Sequence, residues 1–215
     1  MTGRYKATGP EAEYEPGSRG RVLRNLAGIK SVRQMQQRES EALTEATDYF
    51  IDTTEIDKRF LAADIREIHR RWLGDIYPWA GEYRSVNVSK DGFMFAAAAQ
   101  VPRLMEELES GPLREFTPCH FSELDDQVRA LAITHAELIL VHPFREGNGR
   151  CARLMATLMG LQAGLDALNF EGIRGAERQR YISAIHASMN HTYEPMFTVF
   201  RKVIARTMRR AEWTT

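Results

Sequence analysis

Positions 142 to 153 contain, within twelve residues, a histidine, a carboxylate, a Gly-Asn-Gly turn and two arginines. A histidine titrates near neutral pH and can act as a general base, so His142 is the candidate proton acceptor. Glu146 is one carboxylate beside groups that suit phosphate, and Mg²⁺ is commonly held by one or two acids, substrate phosphates and water. These residue types predict a polyphosphate held beside a proton acceptor.

The turn at 147–149 lies between two predicted helices. Glycines allow consecutive N–H groups to point into one concavity, and the following helix adds free N–H groups and the positive end of its dipole. Arg150 and Arg153 are three residues apart, hence on one helix face, and their guanidinium groups suit phosphate oxygens. A glycine turn with solvated arginines is the plainer alternative, but it would leave His142 and Glu146 as coincidences.

A zinc site at His142 and Glu146 has less support, because the sequence contains no HExxH helix and no clustered third ligand. Phe144 is interpreted as a core anchor for the loop. The histidines outside the motif are interpreted as structural; they are His69, His120, His135, His186 and His191.

The bulk properties favour a compact cytoplasmic domain. The chain has 215 residues, 29 basic and 29 acidic side chains and two cysteines. Zero net charge argues against direct nucleic-acid binding through a basic field, and two cysteines are too few for a disulfide framework. The N-terminus lacks the apolar run of a signal peptide, and no stretch is apolar enough to span a membrane. We expect an extended arm over residues 1–20 and a single domain over residues 21–215.

The periodicity predicts a mainly α fold with one β element. Helices are expected at 31–50, 57–73, 96–110, 124–142, 149–161, 176–189 and 194–210. Residues 84–95 change to an alternating pattern around Asp91-Gly92, which predicts a hairpin, because Asp-Gly tolerates the positive φ angles of a tight turn.

The motif resembles the signature of the Fic family, H-x-F-x-[D/E]-G-N-G-R-x-x-R. Every fixed position is matched, by His142, Phe144, Glu146, Gly147, Asn148, Gly149, Arg150 and Arg153. The stretch from Trp79-Ala80-Gly81 to Phe95 is similar to the segment that ends in the family's flap hairpin. The arm, with Tyr14, Pro16-Gly17 and 22–25, resembles the N-terminal stretch of bacterial Fic toxins and effectors. The resemblance implies a bundle of six to eight helices with one β-hairpin flap.

The resemblance also implies a reaction, the transfer of AMP from ATP to a Tyr, Thr or Ser hydroxyl of a protein. His142 would deprotonate that hydroxyl, and Glu146 would hold Mg²⁺ on the α- and β-phosphates. The main chain of 147–149 would form the anion hole, and Arg150 and Arg153 would bind the β- and γ-phosphates. Such chemistry depends mainly on positioning and charge neutralisation.

Two further sets of residues are assigned by family position. The flap edge could pair with an extended segment of the target protein; the candidate docking residues are Lys90, Asp91, Gly92, Phe93 and Met94. An ordinary surface hairpin is the alternative. Tyr181 and Asn190 are the candidates for adenine contacts.

Many Fic proteins resemble one another in an inhibitory helix, [S/T]-x-x-x-E-[G/N]. Here Glu precedes Gly or Asn only at Glu146 and Glu171, and the residues four positions earlier are His142 and Ala167. We therefore expect that a separate small antitoxin-like protein supplies a glutamate to Arg153, and that the chain is a toxin component. A bacterial topoisomerase subunit is a candidate target by analogy.

Three functional alternatives remain at this stage. The first is AMP transfer, the second is Fic-type transfer of another phosphate-containing group, and the third is a nucleotide-binding regulatory module without catalysis. The intact Gly-Asn-Gly segment favours the first, because the kinase-like variants of the family depart from it. A secreted effector remains an alternative to a cytoplasmic protein.

Overall fold

The computed structural model describes residues 6–7, 10–90 and 92–211. These residues divide into two compact units. The first comprises the described residues up to Thr53 together with Ala62–Met105 and Val141–Cys151. The second comprises Thr54–Leu61, Glu106–Leu140 and the described residues from Ala152 onward. The division into an arm and one domain at residue 20 stays a prediction.

Helices dominate the described residues, which confirms the predicted mainly α fold. In chain order they are α1 Val32–Thr53, α2 Ala62–Leu73, α3 Val101–Leu108, α4 Arg114–Phe116, α5 Leu124–Val141, α6 Asn148–Gln162, α7 Ala176–Ser188 and α8 Glu194–Ala211. A π-helical turn, Glu109–Leu113, joins α3 to α4. Among the described residues, no helix is both long and apolar enough to cross a bilayer.

Two predicted helix starts differ from the structure. Helix α2 begins at Ala62, five residues after the predicted start at Asp57. The predicted helix at 96–110 begins only at Val101, after a short 3₁₀ turn at Ala98–Gln100. Helix ends are weakly specified by periodicity, because the apolar pattern continues into the adjoining turns.

The core of the first unit lies between α1 and α2 and the segment after α2. Helix α1 contributes Met35, Ala42 and Ala46, which lie on one face because they recur at intervals of seven and four. Helix α2 contributes Trp72 and Leu73, both almost fully buried. The remaining buried members of this cluster are Val22, Leu23, Ile76, Tyr77 and Ala80.

The predicted hairpin is present, and it carries a strand that was not predicted. Strand β2 (Val88–Lys90) pairs antiparallel with β3 (Phe93–Met94), with Ser89 opposite Met94. Gly92 has a φ of 85°, the left-handed conformation expected in a two-residue hairpin turn. Strand β1 (Lys6–Ala7), from the N-terminal arm, pairs with the other edge of β2. In this three-stranded sheet β2 is central, and the described strands β1 and β3 are its two edges.

In the second unit, α7 and α8 pack against each other, with Tyr181, Ala184 and Ile185 buried on α7. Buried residues of α8 include Met196, Phe200 and Val203. These residues recur at intervals of three and four, the spacing of one helix face.

Candidate active site

The motif loop follows an unusual main-chain path. His142, directly after α5, has a φ of 51°, and Gly147, directly before α6, has a φ of 85°. A β-carbon on Gly147 would lie 2.7 Å from Cζ3 of Trp72, so glycine is required there by both conformation and space. The Asn148 side chain closes the loop: its Oδ1 accepts from the Phe144 N–H at 2.8 Å, and its Nδ2 donates to the Phe144 carbonyl at 2.7 Å. This side chain is therefore used within the loop, so the anion-hole role predicted at position 148 concerns its N–H.

A buried histidine supports the same loop from α2. The Gly81 N–H donates to Nδ1 of His69 at 2.8 Å, so the ring proton must lie on Nε2, which donates to the Glu146 carbonyl at 3.0 Å. The His69 ring stacks on Phe144, with centroids 3.8 Å apart. Burial lowers the pKa of His69 to about 4, which keeps the ring neutral and Nδ1 able to accept. His69 is structural, as predicted, and the structure it holds is the motif loop.

The start of α6 has the features of an anion site. The Gly147 carbonyl accepts the first helical hydrogen bonds, from the N–H groups of Arg150 and Cys151, each at 3.0 Å. The Gly147 N–H binds a carboxylate oxygen of Glu146 at 3.2 Å, so this N–H already contacts a negative group. Beyond its chain neighbours and its own helix backbone, a β-carbon on Gly149 would meet no atom of the described residues within 4 Å. That glycine therefore faces open space, as a ligand-facing position would.

The Arg150 guanidinium is held by a carboxylate from α1. Its Nη1 donates to Oε2 of Glu39 at 2.9 Å, and the Glu39 side chain is only 10% exposed. The guanidinium also lies over the Trp72 ring, 4.4 Å from the centroid, and its Nη2 is 3.9 Å from Glu146. One arm of Arg150 is therefore fixed, while the side chain, 34% exposed, still reaches solvent beside Glu146.

Glu39 itself is fixed at three points. Besides Arg150, it accepts from the Tyr77 hydroxyl at 2.7 Å through Oε1, and its carbonyl accepts from Nε1 of Trp72 at 2.8 Å. Burial, with the adjacent Glu39 charge, raises the pKa of Tyr77, so the hydroxyl keeps its proton and donates. Glu39, Tyr77 and Trp72 thus orient the first motif arginine.

The candidate base contacts the flap. The His142 ring is buried and stacks on Phe95, with centroids 3.6 Å apart and planes inclined by 22°. Phe95 follows β3 directly and packs against Val86 and Val88. His142 therefore lies against the hairpin that was expected to dock the target.

Of the predicted docking residues, Lys90 and Phe93 are half-buried and paired across the hairpin, whereas Met94 is 63% exposed. Gly92 forms the turn and is exposed. Asp91 lies outside the described residues. The docking role of these residues stays a prediction.

Arg153, Tyr181 and Asn190 belong to the second unit. The Arg153 guanidinium lies 5.8 Å from the Phe170 ring centroid, and its buried Nε has no hydrogen-bond partner among the described residues. Asn190 is exposed in the turn after α7.

Tyr181 is buried, and its hydroxyl contacts Nε2 of His135 at 2.7 Å. Because Nδ1 of His135 donates to the Ala152 carbonyl at 3.2 Å, Nε2 of the neutral ring accepts from Tyr181. Burial lowers the pKa of His135 to about 3, which keeps the ring neutral. The hydroxyl proton is thus engaged inside the unit, and the adenine contacts of Tyr181 and Asn190 stay predictions.

The donor set suits one magnesium ion better than a protein-built metal centre. Among the described residues, no group of three or more His, Cys, Asp or Glu side chains could surround a metal ion. Glu146 offers one partly exposed carboxylate at the anion site. Mg²⁺ is bound in this way when substrate phosphates and water supply the other ligands. The residues present therefore fit Mg²⁺ that enters with a nucleotide.

Sequence reasoning missed three residues that hold the motif loop or its first arginine, namely Glu39, Tyr77 and Arg84. Glu39 and Arg150 are separated by 111 positions, and no local spacing connects them. Arg84, buried at 2% exposure, donates to the His142 carbonyl across 58 positions. Glu39 lies on the apolar face of α1, between Met35 and Ala42. A charged residue at an apolar position of a predicted amphipathic helix is the sequence signal that could have indicated Glu39.

The Glu39 contact predicts a stability effect. Replacing Glu39 with glutamine keeps an acceptor for Tyr77 but leaves Arg150 without its anionic partner. We expect the free energy of unfolding to fall by about 1–2 kcal/mol, measured by urea denaturation. The control is Glu41→Gln on the exposed side of the same helix, which should change it by less than about 0.5 kcal/mol. Equal effects of the two variants would contradict this account of Glu39.

The His69 environment predicts a pH effect. Because its folded pKa, about 4, lies below the ordinary value of 6.5, unfolding takes up a proton between these pH values. The contribution of His69 to the free energy of unfolding is therefore fully present above pH 6.5. It decreases as the pH is lowered, by up to about 1.4 kcal/mol per pH unit. In His69→Gln the unfolding free energy, measured from pH 6.5 to 5, should fall less steeply. An unchanged slope would show that His69 is not held neutral.

Comparison with known proteins agrees with this geometry. Residues 59–159 match the model of the Fic/DOC family. The chain is 32% identical over 145 residues to "Protein adenylyltransferase VbhT" of Bartonella schoenbuchensis, covering 66% of this chain but only 30% of that protein. It is 27% identical over 190 residues to "Probable protein adenylyltransferase Fic" of Escherichia coli (strain K12), covering 86% and 88%.

A solved structure supports the same assignment. The N-terminal Fic domain of a VirB-translocated Bep effector protein from Bartonella quintana, with bound ADP, is 26% identical, with a TM-score of 0.67. The match covers 84% of this chain and 89% of that one. The chain therefore carries a Fic/DOC family domain, and its fold is the Fic fold.

Proposed function

We propose that this protein transfers AMP from ATP to a hydroxyl side chain of a target protein. The observation that carries the proposal is the motif loop. It places a buried histidine at one end and an N–H group already bonded to a carboxylate, beside a fixed arginine, at the other. Two of the relatives are named as a protein adenylyltransferase and a probable protein adenylyltransferase, and these names, with the ADP in the Bartonella quintana structure, support the same activity.

In the proposed reaction, His142 takes the proton of the target hydroxyl as its oxygen attacks the α-phosphorus. A bond forms between that oxygen and the α-phosphorus, and the bond to the bridging oxygen of the β-phosphate breaks. Pyrophosphate leaves, and AMP remains on the protein. The N–H groups of 147–149 and the guanidinium groups of Arg150 and Arg153 stabilise the phosphate charge. Glu146 would hold Mg²⁺, which when bound would neutralise further charge on the phosphate oxygens.

The flap and the later helices complete the proposal. As an edge strand of the sheet, β3 offers main-chain groups with which an extended target segment could pair, and Met94 on it is exposed. Tyr181 and Asn190 remain the candidates for the adenine. The reaction is proposed for the cytoplasm, where ATP and protein targets are both present.

Labelled nucleotide tests the proposal. The chain is incubated with Mg²⁺ and ATP labelled at the α-phosphate, together with a bacterial lysate or a purified topoisomerase subunit. We expect a labelled protein band, reduced about 10²–10⁴-fold in His142→Ala because the general base is lost. The matched control, His120→Ala, changes a histidine of the second unit and should label normally.

The other outcomes are equally specific. Label that reaches protein only from the γ-phosphate would replace AMP transfer by phosphoryl transfer. Nucleotide binding with no covalent label from either position would identify a regulatory module and end the proposal.

We further propose that the activity is toxic and that a separate small protein restrains it by presenting a glutamate to Arg153. Two observations support this regulation. Arg150 already has a carboxylate partner in Glu39, whereas Nε of Arg153 has no hydrogen-bond partner among the described residues. A carboxylate supplied to Arg153 would compete with the γ-phosphate for the same guanidinium.

Growth of a bacterial host tests the toxin proposal. Expression of the wild-type chain alone should arrest growth, and His142→Ala should not. An inhibitor that restores growth should lose this effect when its glutamate is changed to glutamine. Normal growth of cells whose lysate contains abundant AMP-modified protein would contradict toxicity.

A further inference from the structure

Arg84 is a buried arginine that binds main-chain carbonyls on two sides. Its side chain is almost fully buried, at 2% exposure for the residue. Nε donates to the His142 carbonyl at 2.7 Å, Nη1 to the Val86 carbonyl at 2.8 Å, and Nη2 to the Ala96 carbonyl at 2.6 Å. A longer contact of 3.4 Å joins Nη2 to the Val141 carbonyl.

The first set of contacts fixes the chain at the candidate base. The last carbonyls of a helix lack intrahelical partners, and a cation there is favourable. At the end of α5, Arg84 supplies both hydrogen-bond donors and a positive charge. Its own main-chain N–H donates to the Pro143 carbonyl at 2.9 Å. Three consecutive carbonyls, at 141–143, are thus bound by one residue. The positive φ of His142 lies in the middle of this stretch, where these bonds offset the strain.

The second set of contacts fixes the foot of the flap. Val86 lies on the chain that enters the hairpin, and Ala96 lies on the chain that leaves it, so the Arg84 fork closes the hairpin at its base. Phe95, the neighbour of Ala96, is the residue that stacks on the His142 ring. The hairpin and the base are therefore joined twice, by the guanidinium and by the ring contact.

An arginine is needed for these contacts. The planar guanidinium presents its donors on three nitrogens in a rigid fork, whereas the three N–H donors of lysine share one nitrogen. Burial lowers the pKa of Arg84 to about 10, so the group remains charged at neutral pH. The charge is compensated mainly by carbonyl oxygens, with Glu11 the carboxylate that acts on it.

We propose that Arg84 is a positioning residue that couples the acceptor-docking flap to His142, so that a hydroxyl held on the flap meets the imidazole in the correct place. This inference rests on the proposed AMP transfer. Arg84 contacts neither the phosphate-binding N–H groups of 147–149 nor Arg150 through any of its hydrogen bonds described above. Its loss therefore affects delivery of the acceptor and leaves nucleotide binding intact.

Kinetics of Arg84→Lys and Arg84→Met test the coupling. We expect kcat for AMP transfer to protein to fall about 100-fold in Arg84→Met, the scale of a displacement of about 1 Å, and less in Arg84→Lys. The dissociation constant of Mg-ATP should stay within about twofold. Release of AMP to water should fall less than transfer to protein, because water needs no flap.

The matched control is Arg66→Met. Arg66 also donates to a main-chain carbonyl, that of Gly81, and pairs with Glu82, but its hydrogen bonds reach neither the hairpin nor 141–143. It should keep transfer activity within about twofold. A loss in Arg66→Met equal to that in Arg84→Met would overturn the specific role of Arg84.

Amide hydrogen exchange separates positioning from general destabilisation. In Arg84→Lys, exchange should increase at 86–96 and 141–144 together, with α1 and α2 unchanged. Uniformly faster exchange, or weakened nucleotide binding, would make Arg84 merely structural. If the wild-type chain labels no protein, the proposed function fails first; if it labels protein and Arg84→Met labels it equally well, only the coupling fails.

Discussion

The main-chain path from His142 to Gly147 is the constraint that the surrounding side chains of the first unit satisfy. His142 and Gly147, at the two ends of this path, both have positive φ angles. A non-glycine residue such as His142 rarely adopts this conformation unless surrounding contacts hold it there. The Asn148 side chain closes the loop from within, and His69 holds the Glu146 carbonyl from α2. Arg84 binds the carbonyl of His142 at the other end. None of these supports uses the main-chain N–H groups of Asn148 and Gly149, which are among the groups proposed to bind phosphate.

The charged side chains around the loop also compensate one another. An arginine at a helix N-terminus opposes the positive end of the helix dipole, so Arg150 is unfavourable there without an anion. Glu39 supplies that anion from α1, and Glu146 lies at 3.9 Å on the other side. Since one arm of Arg150 is already paired, a phosphate has to compete only for the other arm. Glu39 thus stabilises the ligand-free state and also reduces the side-chain entropy that binding must remove.

A feature of the fold or the site could be predicted from the sequence when the residues that form it lie close together in the chain. The Gly-Asn-Gly turn, the mainly α fold and the hairpin at Asp91-Gly92 could be predicted from local spacing, because the interactions that define them lie within a few residues. The Glu39–Arg150 pair and strand β1 could not be predicted, since each joins segments far apart in sequence and neither has a local pattern. The interpretation of His69 as structural was correct, but only the fold shows that it braces the motif.

The side chains that bind the motif loop connect the stability of this domain with the geometry of its candidate site. A buried polar side chain that satisfies main-chain carbonyls is costly to lose, because the carbonyls remain buried and unpaired. Natural replacements at Arg84 or His69 would therefore change the loop before they changed any group that touches a ligand. The fixed letters of the motif include the residues proposed to bind nucleotide, whereas residues that hold the loop in place also lie on α1, α2 and the segment before the flap. A chain could retain the complete motif and still lose the geometry of the loop, so the motif alone is not sufficient to build the site.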